Sequence, residues 1–344
     1  MSLNFIEVTT VNAGLELNKV KYRADEMNDE SRRIIELTKK YTSITSGDSN
    51  KYLNNEFVPK INFPVIFTRF APSVISHVGS PAKFYFGGLA INHITEIQLN
   101  RNLIVNAQIG AVIDGNLDET IHKPDSILPH VRTDIARYMQ EGNEYIKNLQ
   151  LDYFFSPYKN VYAKISAGIF ERMYGGLGGE FLYKPFDSNF TIGAESYSVK
   201  KRDFDQKLNF LDYETNTSHI NFGYHLPKSG IDFKLSYGKY LAKDIGFTFD
   251  LSRTTKSGFR SGFFFSMTNV SSEEFGEGGY DKGFYFVLPL NIFNQNHSRD
   301  SFAFKLRPLT RDGGQKLELS NKLNDVIYHS DMSSFRYKWD GFLD

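Results

Sequence analysis

The chain contains no cysteine, which excludes disulfides, thiolate metal sites and cysteine nucleophiles together. Its 40 basic and 40 acidic residues cancel, so no global field draws it to nucleic acid or to an anionic surface, and nucleic acid is not an expected partner. The eight histidines are scattered without an H-x-x-x-H or comparable pair, so neither a metal nor any other cofactor is expected. No run of about 18 apolar residues occurs and mean hydropathy is −0.39, which excludes a transmembrane helix but not half-polar membrane strands. Met1–Thr10 shows neither a basic start nor an apolar run, so no signal peptide is visible. If the protein is exported, the sequence is missing its beginning.

What is abundant is aromatic: 31 Phe and 20 Tyr against a single Trp. They fall into a two-residue period that is clearest between Gly230 and Leu290. Ile231, Phe233, Leu235 and Tyr237 alternate with Asp232, Lys234 and Ser236. Ile245, Phe247, Phe249 and Leu251 alternate with Gly246, Thr248, Asp250 and Ser252. Phe259, Phe263, Phe265 and Met267 alternate with Arg260, Gly262, Ser266 and Thr268, with Phe264 the exception. Successive strand side chains point to opposite faces, so each segment has one apolar and one polar face. Full charges on the polar face (Asp232, Lys234, Asp250, Arg260) mark it as wet. The apolar face, with Phe233, Phe247, Phe249, Phe263 and Phe265, must meet a second sheet or lipid.

Along the chain, Asn4–Thr9 and Leu15–Tyr22 read as a hairpin around Asn12–Gly14, and Glu26–Lys40 as a modest helix. Thr42–Asn55, rich in Ser, Thr, Asn and Gly, reads as a linker. Residues 1–60 are therefore expected to be the end of a small α/β domain plus that linker. From Phe63 strand follows strand: Phe63–Phe70, Lys83–Leu89, His93–Leu99, Leu103–Ile113, then on through Ser301–Arg307 and Gln315–Leu319, about twelve to fourteen in all. Val131–Gly142 fits a helix or an irregular insert equally. The strand region is expected to span 61–324, with 325–344 as a tail.

The links differ in kind. Ser156–Asn160, Pro185–Asn189, Pro227–Gly230 and Thr255–Gly258 are short and made of turn residues. Lys200–Asp212 and Val270–Asp281, at the opposite end, are long. Short turns at one end and long loops at the other is how an up-and-down outer-membrane barrel is built, the longer set facing outward. Asn291–Asp300, long but at the short-turn end, breaks that parity. A soluble β-sandwich explains the alternation as well, though with a less uniformly Phe-rich buried face.

Several phrases resemble a known family: GIFERMYGGLGGEFLYKPF (168–186), VKKRDFDQ (199–206), YGKYLAKDIG (237–246), EEFGEGGYDKG (273–283) and RPLTRDGGQ (307–315). With VRTDIARYM (131–139) and FIEVTTVNAGLELNKV (5–20), they are similar to the YjbH family of exopolysaccharide-biosynthesis outer-membrane proteins, which includes the GfcD proteins of group 4 capsule operons. The resemblance spans nearly the whole chain. It implies an outer-membrane β-barrel of a Gram-negative bacterium that serves exopolysaccharide or capsule export. The implied partners are outer-membrane lipid, the polymer, and other proteins of the export system. Family members are longer, so this chain resembles the C-terminal part of one. The family implies no catalytic residue, and the chain is not expected to be an enzyme.

Glu273, Glu274, Glu277 and Asp281 crowd one loop, but without EF-hand spacing, and a docked loop explains them more simply than an ion or glycoside cleavage. That loop is expected to fold into the barrel mouth, held by Arg260, Lys282, Arg307 and Arg311. Arg311–Asp312–Gly313–Gly314 reads as a turn. Tyr162, Tyr197 and Tyr285, mixed with Lys, Asp and Arg, suit a lumen that meets sugar. Two other readings stay open: a plugged structural or assembly barrel with no transport role, and a soluble β-rich domain that binds or modifies polysaccharide.

Overall fold

The computed structural model describes residues 5–23, 43–49, 51–78, 85–119, 127–255, 257–275, 279–290, 301–307 and 311–327, and the structural statements below concern these. The helix expected over Glu26–Lys40 lies outside them, as do Glu277, 291–300 and 328–344.

A small sheet comes first: β1 (Phe5–Asn12), β2 (Leu15–Arg23) and β3 (Ser43–Ser46), in that order. The β1–β2 hairpin turns on Ala13 and Gly14, at φ 49° and 72°, the left-handed pair that a two-residue turn requires. Where composition suggested a linker, β3 and a 3-10 turn at Lys51–Asn54 form instead. The cause is the buried Glu16, whose carboxylate accepts the backbone N–H groups of Asp48 and Tyr52, each at 2.9 Å. A run of Ser, Thr and Asn does not show that a distant acid needs its backbone.

The second sheet has thirteen strands: β4 (Val65–Val78), β5 (Tyr85–Gln98), β6 (Leu103–Gly115), β7 (Glu144–Tyr158), β8 (Val161–Ile169), β9 (Tyr174–Tyr183), β10 (Phe190–Arg202), β11 (Phe210–Leu226), β12 (Ile231–Lys239), β13 (Ile245–Thr254), β14 (Arg260–Thr268), β15 (Asp281–Pro289) and β16 (Ser301–Leu306). They pair antiparallel in sequence order, an all-β up-and-down meander with the strand count expected. Two details differ from expectation. The two strands expected over 83–89 and 93–99 are one, β5, which runs on without a turn through Ala90, Ile91 and Asn92, while the register shift opposite Leu89 and Ala90 leaves Ile113 of β6 as the extra residue. Gln315–Leu319 is not a strand at all. Among the described residues β4 and β16 remain edges, so the sheet is not closed. Both run the same way, from the short-turn end towards the loop end.

The faces divide as the alternation requires. In β12–β14 the register sets Leu235 opposite Phe249, Phe249 opposite Phe265, and Leu251 opposite both Phe233 and Phe263. These rings form a ladder on the outer face, with centroids 5.5 Å apart for Phe249–Phe265 and 6.1 Å for Phe247–Phe265. Phe264 breaks the pattern because it turns inward, beneath the cations of Lys305 and Arg307. The inner face is buried yet polar, as Gln150, Asp152, Lys164, Ser166, Thr217, His219, Asp232 and Ser252 show. A soluble sheet buries its apolar face; this one buries the polar face and leaves Leu149, Leu151, Tyr153, Ile220 and Phe222 exposed.

Candidate functional site in the sheet interior

The interior is occupied by the chain itself. After β16 the segment 311–327 turns back at the loop end and runs down the inside of the sheet to a helical turn, α3 (Leu323–Val326), at the short-turn end. (Two earlier helices are α1, Ile135–Glu141, which settles the reading of 131–142, and α2, Ser272–Phe275.) Residues 315–319 are extended, so their side chains alternate between opposite walls of the interior. Their two-residue period therefore resembles that of a strand, although they join no ladder.

Entry to the interior is built from the family-like phrases. Asp312 accepts hydrogen bonds from Arg132 N at 2.8 Å, Thr133 N at 3.0 Å and Thr133 Oγ1 at 2.7 Å. Gly314 N donates to Asp244 Oδ2 at 2.7 Å, and Leu241 N to the Gln315 carbonyl at 3.0 Å. The two glycines have separate reasons. Gly314 sits at φ +70°, while a Cβ on Gly313 would lie 2.8 Å from the Phe275 ring. The expected turn at 311–314 is thus the bend that admits the tail, and Arg311 and Asp312 are both buried in it.

Deeper, Arg132 forms a two-pronged contact with Glu171 at 2.8 and 3.0 Å and also donates to the Lys316 carbonyl at 2.8 Å. Burial pushes the Glu171 carboxyl up to about 7, although the Arg132 guanidinium pulls it down. Asp244 is likewise raised by burial, against the N–H of Gly314. Lys316 reaches Glu195 at 3.1 Å, and Asn148 Nδ2 donates to Ser320 Oγ at 2.6 Å. Lys164 donates to the Asn321 carbonyl and pairs with Glu180 at 2.8 Å, and Glu180 accepts Leu323 N at 2.8 Å. At the bottom Leu323 and Ile327 join Leu15, Leu17, Ile104, Phe154, Tyr162 and Leu182 in an apolar cluster that ties the small sheet to the large one.

One residue missed in the sequence organises the loop end. The buried Arg202 donates to the carbonyls of Ile146, Glu171, Arg172, Gln206 and Lys207. Two loops and the start of β7 meet on that guanidinium. Its only sequence signal is its place within VKKRDFDQ, since carbonyl acceptors have no residue signature.

The expected docking of the acidic loop is corrected in its details. Glu274 is exposed and accepts hydrogen bonds from Ser271 N and Oγ of its own turn. Lys282 stands opposite Phe265 in the register, on the outer face. Arg260 lies at the far, short-turn end, where it donates to Ser252 Oγ and stacks 5.9 Å from the Tyr285 ring. The loop is anchored instead by the buried Phe275 against Gly313 and by Asp281, 3.7 Å from Arg307. Arg307 also donates to Gln315. Of the other expected lumen residues, Asp232 meets His225 at 2.9 Å, Asp250 accepts from Tyr285 at 2.8 Å, and Lys234 is half-buried on the same face. Tyr197 is buried beneath the tail, donating to Glu180 at 3.1 Å, rather than lining open space.

A chamber of about 800 Å³ remains beside the tail, between β6–β7 on one side and β16 on the other. The family model described as exopolysaccharide biosynthesis protein YbjH matches residues 1–329. The chain belongs to the YjbH family. It is 36% identical over 263 residues to the "Uncharacterized lipoprotein YjbH" of Escherichia coli (strain K12), a match covering 74% of this chain and 37% of that one. The chain thus spans little more than a third of that relative's length. Among solved structures, OmpT of Vibrio cholerae gives a TM-score of 0.31 at 7% identity, covering 66% of this chain and 82% of that one. Its loop L8 deletion mutant gives 0.30 at 8%, covering 64% and 87%. Both likenesses are too slight to build on.

Proposed function

We propose that this YjbH-family chain is part of an outer-membrane barrel that docks exopolysaccharide in a plugged interior, rather than an open export pore or an enzyme. The observation that carries this is the occupied polar interior inside an apolar outer wall. Lipid accepts the exposed Leu, Ile and Phe of the convex face, while the tail 311–327 runs through the wet side with the chamber beside it. In a membrane the edges β4 and β16 must be covered by backbone beyond the thirteen strands, because unpaired strand groups are not tolerated in lipid. The E. coli relative's description as a lipoprotein supports an envelope location.

This chain has no cysteine of its own to compete with introduced ones. In the full-length protein, Asn148→Cys and Ser320→Cys joined by a reducible thiol linker would lock the tail inside. Docking expects normal surface polymer in the locked form. Secretion that is abolished by locking and restored by reduction would instead make the tail a gate that must leave its place, and the chamber a passage.

A further inference from the structure

The chamber has an uneven charge. Five cations line it, Arg132, Lys147, Arg172, Lys305 and Arg307, against two acids, Glu171 and Glu318. Most of that charge is matched within the protein. Glu171 takes the Arg132 guanidinium, Glu318 lies 3.6 Å from Lys305, and Arg307 lies 3.7 Å from Asp281 behind the wall. Lys147 and Arg172 are left. Among the described residues Lys147 makes no hydrogen bond or ion pair. Arg172 lies 3.9 Å from the centroid of the Tyr145 ring and donates to Gln206 at 3.3 Å, both neutral partners. The two cations repel one another, and the one acid that bears on Lys147 is Glu318, which also faces Lys305.

Lys147 reaches the chamber by a specific backbone device. Gln108 pairs with Asn148 and Ile109 with Ile146, which leaves Lys147 as the extra residue of a β-bulge. In unbroken alternation it would share the outer face with Leu149 and Leu151; the bulge re-aims it inward. Bringing two like charges together in a partly enclosed space is unfavourable unless an anion sits between them. Around them stand neutral hydrogen-bonding groups, Gln108, Asn148 and Ser320. Amides and hydroxyls suit sugar hydroxyls.

We propose that the chamber selects an acidic glycan, with carboxylate groups of the polymer held by Lys147 and Arg172. This rests on the docking reading above and adds the chemical class of the polymer. Arginine grips a carboxylate by its planar fork, while lysine serves as a point charge, so the pair tolerates successive acidic residues along a flexible chain.

The test uses the full-length protein in detergent, with oligogalacturonate as the acidic probe and its fully methyl-esterified form as the neutral one. Binding is measured by thermophoresis. The acidic probe should bind at least tenfold more tightly, and that preference should shrink between about 50 and about 300 mM salt as charges are screened. Lys147→Glu should weaken the acidic probe tenfold or more without moving the neutral one, and Lys147→Arg should restore it. Because Lys147 makes no hydrogen bond or ion pair among the described residues, the variant should keep the parent's heat-modifiable migration; Arg172→Gln provides an independent loss of charge. If both probes bind equally to the parent protein, docking stands and charge selection is wrong. If neither binds, both readings fail. Acidic binding unchanged in Lys147→Glu and Arg172→Gln also overturns the proposal.

Discussion

At the scale of single residues, the interior depends on buried charges whose partners come from distant parts of the chain. Arg202 shows this most clearly, because its five acceptors belong to two loops and the start of β7. Lysine keeps the charge but has only three donors on one nitrogen. Arg202→Lys should therefore cost about 3 kcal/mol or more, since hydrogen bonds to a charged group are worth about 1.5–3 kcal/mol each. Chemical denaturation followed by gel mobility would measure it, and loss under about 1 kcal/mol would remove Arg202 from its central place. Glu171 makes the tail sensitive to pH. Its carboxyl is raised from 4.5 to about 7 with the tail docked, so the docked form holds the proton more tightly than a released form would. The stabilisation is full below the unperturbed value and is lost as pH rises through about 7. A spin label at Ser320→Cys should become more mobile over that interval, and Glu171→Gln should flatten the response. Greater mobility on acidification would reverse the assignment.

At the scale of elements, the alternation in β12–β14 was legible because the chain pairs in sequence order and each strand has one charged face. What was not legible follows from the same rule. Leu317 and Leu319 alternate with Lys316 and Glu318 as a strand would, but periodicity reports an extended backbone, not a hydrogen-bonded neighbour. The candidate site suffered similarly: its acids and cations could be recognised, but Arg260 and Glu274 stand too far apart to meet. Only the register shows that Arg260 lies at the short-turn end and Lys282 on the outer face. The outer face gives a direct prediction. Phe249→Arg near mid-membrane should cost about 2–4 kcal/mol of barrel stability. Asp250→Asn should be nearly silent, because an amide oxygen still accepts from Tyr285, now at 2.8 Å. Urea titration of folded protein in bilayers checks the ordering.

At the scale of the molecule, one arrangement links the apolar exterior, the polar interior and the threaded tail: a membrane sheet wrapped around its own C-terminal segment. The phrases that carry the family likeness lie far apart in sequence yet gather where that segment enters, through Asp312, Thr133, Arg132, Glu171, Arg202, Leu241 and Asp244. The central claim, that the convex face meets lipid and the concave face does not, can be tested along one strand. Nitroxide labels would be placed in turn at Phe247→Cys, Thr248→Cys, Phe249→Cys, Asp250→Cys and Leu251→Cys of the full-length protein in bilayers. Collision with dissolved oxygen, which concentrates in lipid, should be high at Phe247, Phe249 and Leu251 and low at Thr248 and Asp250. A flat profile, with a water-soluble nickel relaxant reaching all five positions alike, would contradict the membrane barrel.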